Sequence, residues 1–237
     1  MEVMKVAAIA AALCLLFMPM ILAEDIFSNN LNSIEEITNA GGIVSGSDSF
    51  VPGVDGSAIN LIDSSSVAFN IPIEENRGTI EFWVKPGFEI KDLPRFSTAG
   101  LGEISDFPGL DTFGFWVYKS EYGPVIVLEI KDDEGNYRQA WSKVTGFKAS
   151  QWHHIALVWN CNNEKIKKNY AQVYIDGVSG SKQKGICSSI NFSNKKITLG
   201  TNGFYAGRTK SFDKLSIYNN IRSSGEIKKD YKNFKPV

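Results

Sequence analysis

The segment 151–177 constrains the fold of this chain more than any other. Two runs rich in β-branched and aromatic residues, 152–159 and 170–175, flank a polar loop. This composition is typical of paired β-strands. Asp176 and Gly177 form a tight-turn signal, because glycine accepts a positive φ and aspartate tolerates one. The segment therefore predicts two neighbouring strands joined by a long hairpin connection.

Both faces of the first of these strands are mostly apolar. Alternate residues point to opposite faces of a strand, so one face carries Trp152, His154, Ala156 and Val158, and the other carries His153, Ile155, Leu157 and Trp159. A strand with two apolar faces is expected to be covered on both sides, as in a pair of packed sheets.

Short strand-like runs recur along the rest of the chain, separated by turns rich in Gly, Pro, Asn and Asp. Two brief helices are predicted, one capped by Ser33 and one starting at the capping box of Ser223 and Glu226. The pattern alone favours a sandwich or barrel of antiparallel strands in one domain. The predicted strands outside the hairpin are 58–62, 67–71, 78–86, 96–101, 113–119, 125–131, 137–144, 195–200 and 211–218.

The first 23 residues have the features of a secretory signal. Lys5 gives a charged start, 6–22 are apolar, and Ala23 is a cleavage position. We therefore expect a secreted or cell-surface protein, with a lead-in segment at 24–43 and the folded domain at 44–237. The alternative is an uncleaved membrane anchor, for which the apolar run has borderline length. No later segment of the sequence is long and apolar enough to cross a membrane.

Export determines how the cysteines are interpreted. Cleavage removes Cys14 and leaves Cys161 and Cys187. A single pair in an oxidising compartment indicates one disulfide. The alternative is two separate thiols.

Six segments follow one another in a recognisable order and spacing: Phe-Val-Pro-Gly at 50–53, Thr-Ile-Glu-Phe-Trp-Val-Lys-Pro at 79–86, Trp-His-His-Ile-Ala-Leu-Val-Trp at 152–159, Val-Tyr-Ile-Asp-Gly at 173–177, Ile-Thr-Leu-Gly at 197–200 and Phe-Asp-Lys-Leu-Ser-Ile-Tyr at 212–218. Together they resemble the laminin-G-like domains of concanavalin A-like lectins and glucanases. The resemblance covers about 44–226 and implies an all-β, two-sheet antiparallel jelly-roll sandwich, to which the capping box at Ser223 adds a short terminal helix. Members of that family mostly bind glycans or proteins outside the cell.

The same resemblance raises the question of a metal. Some members of the family hold a structural calcium between the first of these segments and the closing strands, and Asp213 matches the acid of the closing strand. Calcium needs several oxygen ligands, and only this one can be named. Asp213 is therefore either a calcium ligand or a carboxylate that accepts hydrogen bonds from a turn.

Nucleic acid is not an expected partner, because the net charge is −1 and phosphate contacts require concentrated Lys and Arg. The sequence also lacks the signals of an enzyme. His153 and His154 are neighbours on a strand and point apart, so they cannot share a metal or a catalytic serine. A glycosidase needs two carboxylates in one cleft, whereas Glu129 and Asp132 would point to opposite faces.

Two groups of residues are candidates for ligand binding. Trp116 and Tyr118 share one face of a strand, and Tyr137 and Trp141 share a face of another. If these strands pair, the four aromatics form a platform for a sugar; the alternative is that they belong to the core.

The second candidate is the Gly-flanked loop 202–208, which contains Phe204, Tyr205 and Arg208.

The sequence thus predicts a secreted, non-catalytic module that recognises extracellular or cell-surface glycans. A protein-interaction or adhesion module without sugar specificity is the alternative, and a glycosidase is the third possibility.

Overall fold

A computed structural model describes residues 25–70, 73, 76–105, 113–132, 135–144, 146–162, 165–187, 190, 192, 195–200 and 208–234. The predicted signal segment 1–23 lies outside these residues, and so do Phe204 and Tyr205 of the predicted binding loop.

The described residues are mostly strands, with an α-helix near each end. The first helix is α1 (Ile34–Asn39) and the last is α2 (Ser224–Phe234). The strands are β1 (Asp25–Asn29), β2 (Ile43–Ser45), β3 (Asp48–Pro52), β4 (Ser57–Leu61), β5 (Ser66–Asn70), β6 (Arg77–Pro86), β7 (Thr98–Ser105), β8 (Phe113–Ser120), β9 (Gly123–Lys131), β10 (Tyr137–Lys143), β11 (His153–Asn160), β12 (Tyr170–Ile175), β13 (Val178–Ser179), β14 (Gln183–Lys184), β15 (Lys196–Gly200) and β16 (Lys210–Tyr218).

In the described part of the chain these strands form two antiparallel sheets. The nine-stranded sheet follows the order β13-β12-β11-β6-β16-β4-β3, with β1 beside β16 and β14 beside β12. The seven-stranded sheet follows the order β10-β9-β8-β7-β15-β5-β2. The predicted jelly-roll sandwich is therefore confirmed. The central hairpin is confirmed as well, because β11 pairs with β12 from Ile155 opposite Ile175 to Asn160 opposite Tyr170.

The core lies between the two sheets. One face of β11 places Ile155, Leu157 and Trp159 in it, all fully buried. From the facing sheet, Phe113 meets the Trp159 indole edge-on, with the ring centroids 5.0 Å apart. Burial of each such side chain contributes about 1.5–3 kcal/mol to folding, so this layer is a main source of stability.

The other face of β11 is covered by α2. Ala156 and Val158 form a second buried cluster with Tyr174 and with Ile227 of the helix. The helix begins at the predicted capping box, in which the Ser223 N–H donates to Glu226 Oε2 at 2.7 Å and the Glu226 N–H donates to Ser223 Oγ at 3.3 Å. Coverage of both faces of this strand is therefore confirmed. No helix among the described residues combines the length and the apolarity that crossing a bilayer requires.

The lead-in segment is built into the sandwich. β1 pairs with β16, and Leu31 and Ile37 are fully buried in the core. The predicted cap of α1 is present, because the Glu36 N–H donates to Ser33 Oγ at 3.1 Å.

The predicted disulfide is confirmed. Cys161 follows β11 and Cys187 follows β14, and their Cα atoms lie 5.4 Å apart across the bond. Both cysteines are buried. The bond therefore fixes the long connection of the hairpin to the segment beyond its second strand.

Candidate ligand-binding face

The predicted aromatics lie on the outer face of the seven-stranded sheet. The platform interpretation assumed that β8 and β10 pair directly, and this is wrong, because β9 lies between them. The register still brings the side chains to one face. Trp116 of β8 and Trp141 of β10 both lie opposite Val127 of β9. Tyr118 lies opposite Val125.

The exposure of these aromatics decides between platform and core. Trp141 is 38% exposed and Tyr137 is 53% exposed, whereas Trp116 is only 5% exposed. Tyr118 is half-buried. The core interpretation is therefore wrong for Tyr137 and Trp141. Trp116 is buried, yet it lies in the outer row with Trp141 and not between the sheets.

Two of the predicted aromatics line one hollow in this face, with a volume of about 280 Å³. Tyr118 and Trp141 provide aromatic surface, Gln139 provides an amide, and Lys143 provides an ammonium group. Such a combination of apolar surface and a few polar groups is typical of small-ligand sites. The described residues that line the hollow are Tyr118, Ser120, Tyr122, Val125, Val127, Gln139, Trp141 and Lys143.

The amide of Gln139 is held in place by its neighbour on β9. Its Nε2 donates to Glu129 Oε2 at 2.7 Å. This hydrogen bond fixes the amide beside the indole of Trp141, two residues along the same strand. The Gln139 oxygen is then an acceptor for a ligand hydroxyl.

Sequence reasoning missed Lys143 and Tyr122 as lining residues. Lys143 continues the alternation of Tyr137, Gln139 and Trp141 on β10, so the period of two was a signal for it. Tyr122 lies in the turn between β8 and β9, where no such periodicity operates.

A pair of carboxylates across strands was also missed, because acidic residues were compared only along one strand. Glu103 of β7 and Glu129 of β9 both lie opposite Gly114 of β8. Their Cα atoms are two strand spacings apart, roughly 9–10 Å. Glu129 is engaged with Gln139, and Glu103 Oε1 lies 3.4 Å from Ser105 Oγ. Neither carboxylate lines the hollow, whose described residues include no acid.

Of the predicted binding loop, only Arg208 is among the described residues. Its guanidinium carbon lies 5.1 Å from the centroid of the Phe88 ring. This cation–π contact anchors the end of the loop beside β6. The structure does not bring Arg208 into the hollow of Tyr118 and Trp141.

Asp213 accepts hydrogen bonds from a turn. It is fully buried, and its Oδ2 accepts the Val54 N–H at 2.7 Å and the Asp55 N–H at 3.3 Å. Burial raises the pKa of Asp213 to about 6, although these N–H groups act in the opposite direction. Its Oδ1 has no hydrogen-bond partner among the described residues. The Asp213 carboxylate thus orders the turn after β3, which is the role of a turn acceptor that the sequence analysis gave as the alternative to a calcium ligand.

A second carboxylate near Asp213 is already paired with a lysine. The nearby carboxylate of Asp55 pairs with Lys214 Nζ at 2.9 Å, and the same ammonium lies 3.3 Å from Asn30 Oδ1. Calcium takes six to eight oxygen ligands. The described residues contain no cluster of three or more His, Cys, Asp or Glu that could hold a metal. Calcium binding stays a prediction.

The two histidines have separate structural partners. His153 Nδ1 lies 2.8 Å from Asp176 Oδ2, and its Nε2 is 3.3 Å from the Lys148 N–H. His154 Nε2 lies 3.1 Å from Glu81 Oε2 on the opposite face of β11. The prediction that the two histidines point apart is confirmed.

Comparison with solved structures shows the fold. Domain 4 of AbnA, a GH43 extracellular arabinanase from Geobacillus stearothermophilus, in complex with arabinotriose, has a TM-score of 0.60 at 16% identity over 87% of this chain and 98% of that domain. The botulinum neurotoxin type G receptor-binding domain has a TM-score of 0.65 at 16% identity over 89% of this chain. The binding domain of botulinum neurotoxin DC in complex with SialylT has a TM-score of 0.62 at 15% identity over 82% of this chain.

This chain corresponds to about half of each toxin domain, 51% for type G and 46% for type DC. No curated protein matches the sequence. The family model described as the concanavalin A-like lectin/glucanases superfamily matches residues 61–228. With the match spanning more than half of its length, this chain belongs to the concanavalin A-like lectin/glucanase superfamily.

Proposed function

We propose that this protein is a secreted, non-catalytic module that binds extracellular or cell-surface glycans in the hollow on the outer face of the seven-stranded sheet. The observation that carries the proposal is the convergence of Tyr118, Gln139 and Trp141 on that hollow. These residues come from two strands that are not neighbours, so their convergence is a property of the fold.

The chemistry of the three side chains suits a sugar. An aromatic ring packs against the apolar face of a pyranose, and its π-surface is large and rigid. The amide of Gln139 offers both a donor and an acceptor to hydroxyl groups. Its orientation is fixed by Glu129 at 2.7 Å before any ligand arrives, which lowers the entropic cost of binding.

The comparisons support a glycan as the ligand class. The AbnA domain is in complex with arabinotriose, and the botulinum neurotoxin DC domain is in complex with SialylT. We extend this ligand class to the present chain as part of the proposal.

The proposal that the protein is secreted rests on the signal-like segment 1–23.

The proposal of a non-catalytic module rests on the position of the acidic residues. Hydrolysis of a glycosidic bond requires two carboxyl groups on either side of the bound sugar. The described lining of the hollow contains none, and Glu129 is already bonded to Gln139. We therefore expect sugars to leave the site unchanged.

A glycan-array screen of the secreted protein, with calcium and again with a chelator, tests this function. Specific binding that Tyr118→Ala and Trp141→Ala each abolish supports the proposal. Phe50→Ala is the matched control, because Phe50 is 37% exposed, close to the 38% of Trp141, and lies on β3 of the other sheet. This variant should bind as the unmodified protein does.

The other outcomes point to the alternative functions. A blank array in both conditions would contradict the proposal and favour a protein-interaction or adhesion module. Release of new reducing ends from a bound oligosaccharide would identify a glycosidase and direct attention to Glu103 and Glu129. Binding that the chelator abolishes would favour calcium as a structural cofactor.

A further inference from the structure

A second hollow adjoins the first on the other side of Trp141. Its volume is about 460 Å³. Trp141 and Lys143 line both hollows, so these two side chains of β10 form the ridge between them. The remaining lining residues of the second hollow are Ser142, Val178, Ser179, Gly180 and Ser181.

The second hollow lies where the edges of the two sheets meet. β10 is the edge strand of the seven-stranded sheet, and β13 is the edge strand of the other sheet. A Cβ added to Gly180 would lie 2.6 Å from the Ser142 Cβ, so the two backbones are in close contact there. This contact brings the two edge strands together at the second hollow, where Val178 is 69% exposed.

Charge is distributed unevenly along the ridge. The ammonium group of Lys143 makes no hydrogen bond or ion pair with the side chains of the other described residues. No described lining residue of either hollow is acidic. The nearest carboxylate on this face of β9 is Glu129, which lies beyond Trp141 in the row of Gln139. The Lys143 side of Trp141 is therefore positive, and the Glu129 side is negative.

We infer that the two hollows are adjacent subsites for one linear oligosaccharide, which crosses the ridge at Trp141 and places a carboxylate or sulfate group against Lys143. This inference rests on the proposed function and specifies its ligand.

The volumes agree with a ligand longer than one sugar. Pockets for small ligands occupy about 300–1,000 Å³. The first hollow, at about 280 Å³, lies at the lower edge of this range, and the second adds about 460 Å³ beside it. A single sugar unit in the first hollow would leave uncovered the side of Trp141 that lines the second hollow. A second sugar unit covers that side.

The acidic group follows from the donor chemistry of Lys143. An ammonium group donates three hydrogen bonds and accepts none. It is the only cationic side chain in the described lining of either hollow. Charge-assisted hydrogen bonds are stronger than neutral ones, so an acidic unit at this position is preferred to its neutral counterpart. If the oligosaccharide bound in the opposite direction, its acidic group would lie near Glu129, and repulsion between the two negative charges disfavours that orientation.

The test is an array of acidic oligosaccharides of one to six units, printed beside the same backbones with their carboxyl groups reduced or their sulfates removed. The expected result is no binding of single sugars, binding from two units upward, and about threefold to tenfold weaker binding of each neutral counterpart at low salt. This preference should shrink at high salt, because exposed charges are screened.

Two pairs of matched variants locate the effect. Lys143→Gln should remove the preference for acidic ligands, while Lys143→Arg should keep it. Ser181→Glu adds a negative charge to the second hollow and should weaken binding of the longer acidic ligands. Ser181→Gln introduces a side chain of similar size without the charge, and it should weaken binding of these ligands less than Ser181→Glu does.

The outcomes separate this inference from the proposed function. Equal binding of single sugars and longer chains, or of acidic and neutral counterparts, would overturn the inference while leaving a glycan-binding module. Equal affinities of Ser181→Glu and Ser181→Gln for the longer acidic ligands would also overturn the inference. An array that is blank for every acidic and neutral glycan would overturn the proposed function itself.

Discussion

The guanidinium of Arg222 lies 2.8 Å from Oε1 of the buried Glu81, and the same guanidinium pairs with Asp230 on α2. Glu81 Oε2 also lies 3.1 Å from His154 Nε2. These contacts attach the C-terminal helix to the outer face of the nine-stranded sheet. The described residues place no comparable helix on the outer face of the seven-stranded sheet, and there the hollow of Tyr118 and Trp141 lies open.

Removal of the arginine should detach the helix. Arg222→Ala leaves the carboxylate of Glu81 buried without its cation, and we expect a loss of about 3–5 kcal/mol in the free energy of unfolding. Chemical denaturation measures this loss. Lys229→Ala, an exposed position on the same helix, is the control and should change stability by less than about 0.5 kcal/mol. An equally small effect of Arg222→Ala would show that the pair does not hold the helix.

A buried lysine makes stability depend on pH at the alkaline end. Lys210 is 1% exposed, and its Nζ donates to the Gly100 carbonyl at 2.9 Å. Burial lowers the pKa of Lys210 from 10.5 to about 8. The folded protein thus loses this proton before the unfolded chain does, and the destabilisation caused by the charge declines as pH rises from about 8 to about 10.5.

Lys210→Met removes the buried charge and keeps a similar length. We expect the variant to be more stable than the unmodified protein by about 1–4 kcal/mol at pH 7. Urea denaturation at a series of pH values should show this difference narrowing above pH 8. A difference that is constant up to pH 10 would mean that Lys210 is not desolvated in the fold.

Substitution of Asp213 shows whether this residue acts as a hydrogen-bond acceptor for the turn or as a metal ligand. Asp213→Ala leaves the partly buried N–H groups of Val54 and Asp55 without their acceptor, and we expect a loss of about 1–3 kcal/mol. The loss should be the same in calcium and in a chelator. A loss seen only when calcium is present would contradict the turn role and assign Asp213 to a metal site.

The disulfide should contribute strongly to stability. Cys161 and Cys187 are 26 residues apart in the sequence. Closing a loop of this size stabilises a fold by roughly 3–4 kcal/mol in the chain-entropy model. The double variant Cys161→Ser/Cys187→Ser should lose about this amount in chemical denaturation. Titration of the unmodified protein that finds Cys161 and Cys187 as free thiols would contradict the bond.

Features encoded locally were predictable from the sequence. The apolar faces of β11, the Asp176-Gly177 turn and the capping box at Ser223 each depend on residues close together in the chain, and the structure contains all three. Alternation along one strand also placed Tyr137 and Trp141 on one face correctly. These inferences needed no knowledge of which strands are neighbours.

Features that depend on strand order were not predictable. The insertion of β9 between β8 and β10, and the row of Glu103, Gly114 and Glu129, arise from pairings between distant segments. Individual residues can also differ from a strand pattern. Phe96 was predicted to start a strand, but it has a φ of 60° in a turn and is 65% exposed, and β7 begins at Thr98.

The most direct test of the proposed site follows the indole N–H signals of the tryptophans by NMR while the oligosaccharide with the strongest array signal is added. Trp141 is exposed on the outer face, whereas Trp83 and Trp159 are at most 2% exposed and act as internal references. The proposal predicts a saturable shift of the Trp141 signal while the signals of Trp83 and Trp159 stay in place. Saturable binding that leaves the Trp141 signal unmoved would contradict it and place the ligand elsewhere on the protein.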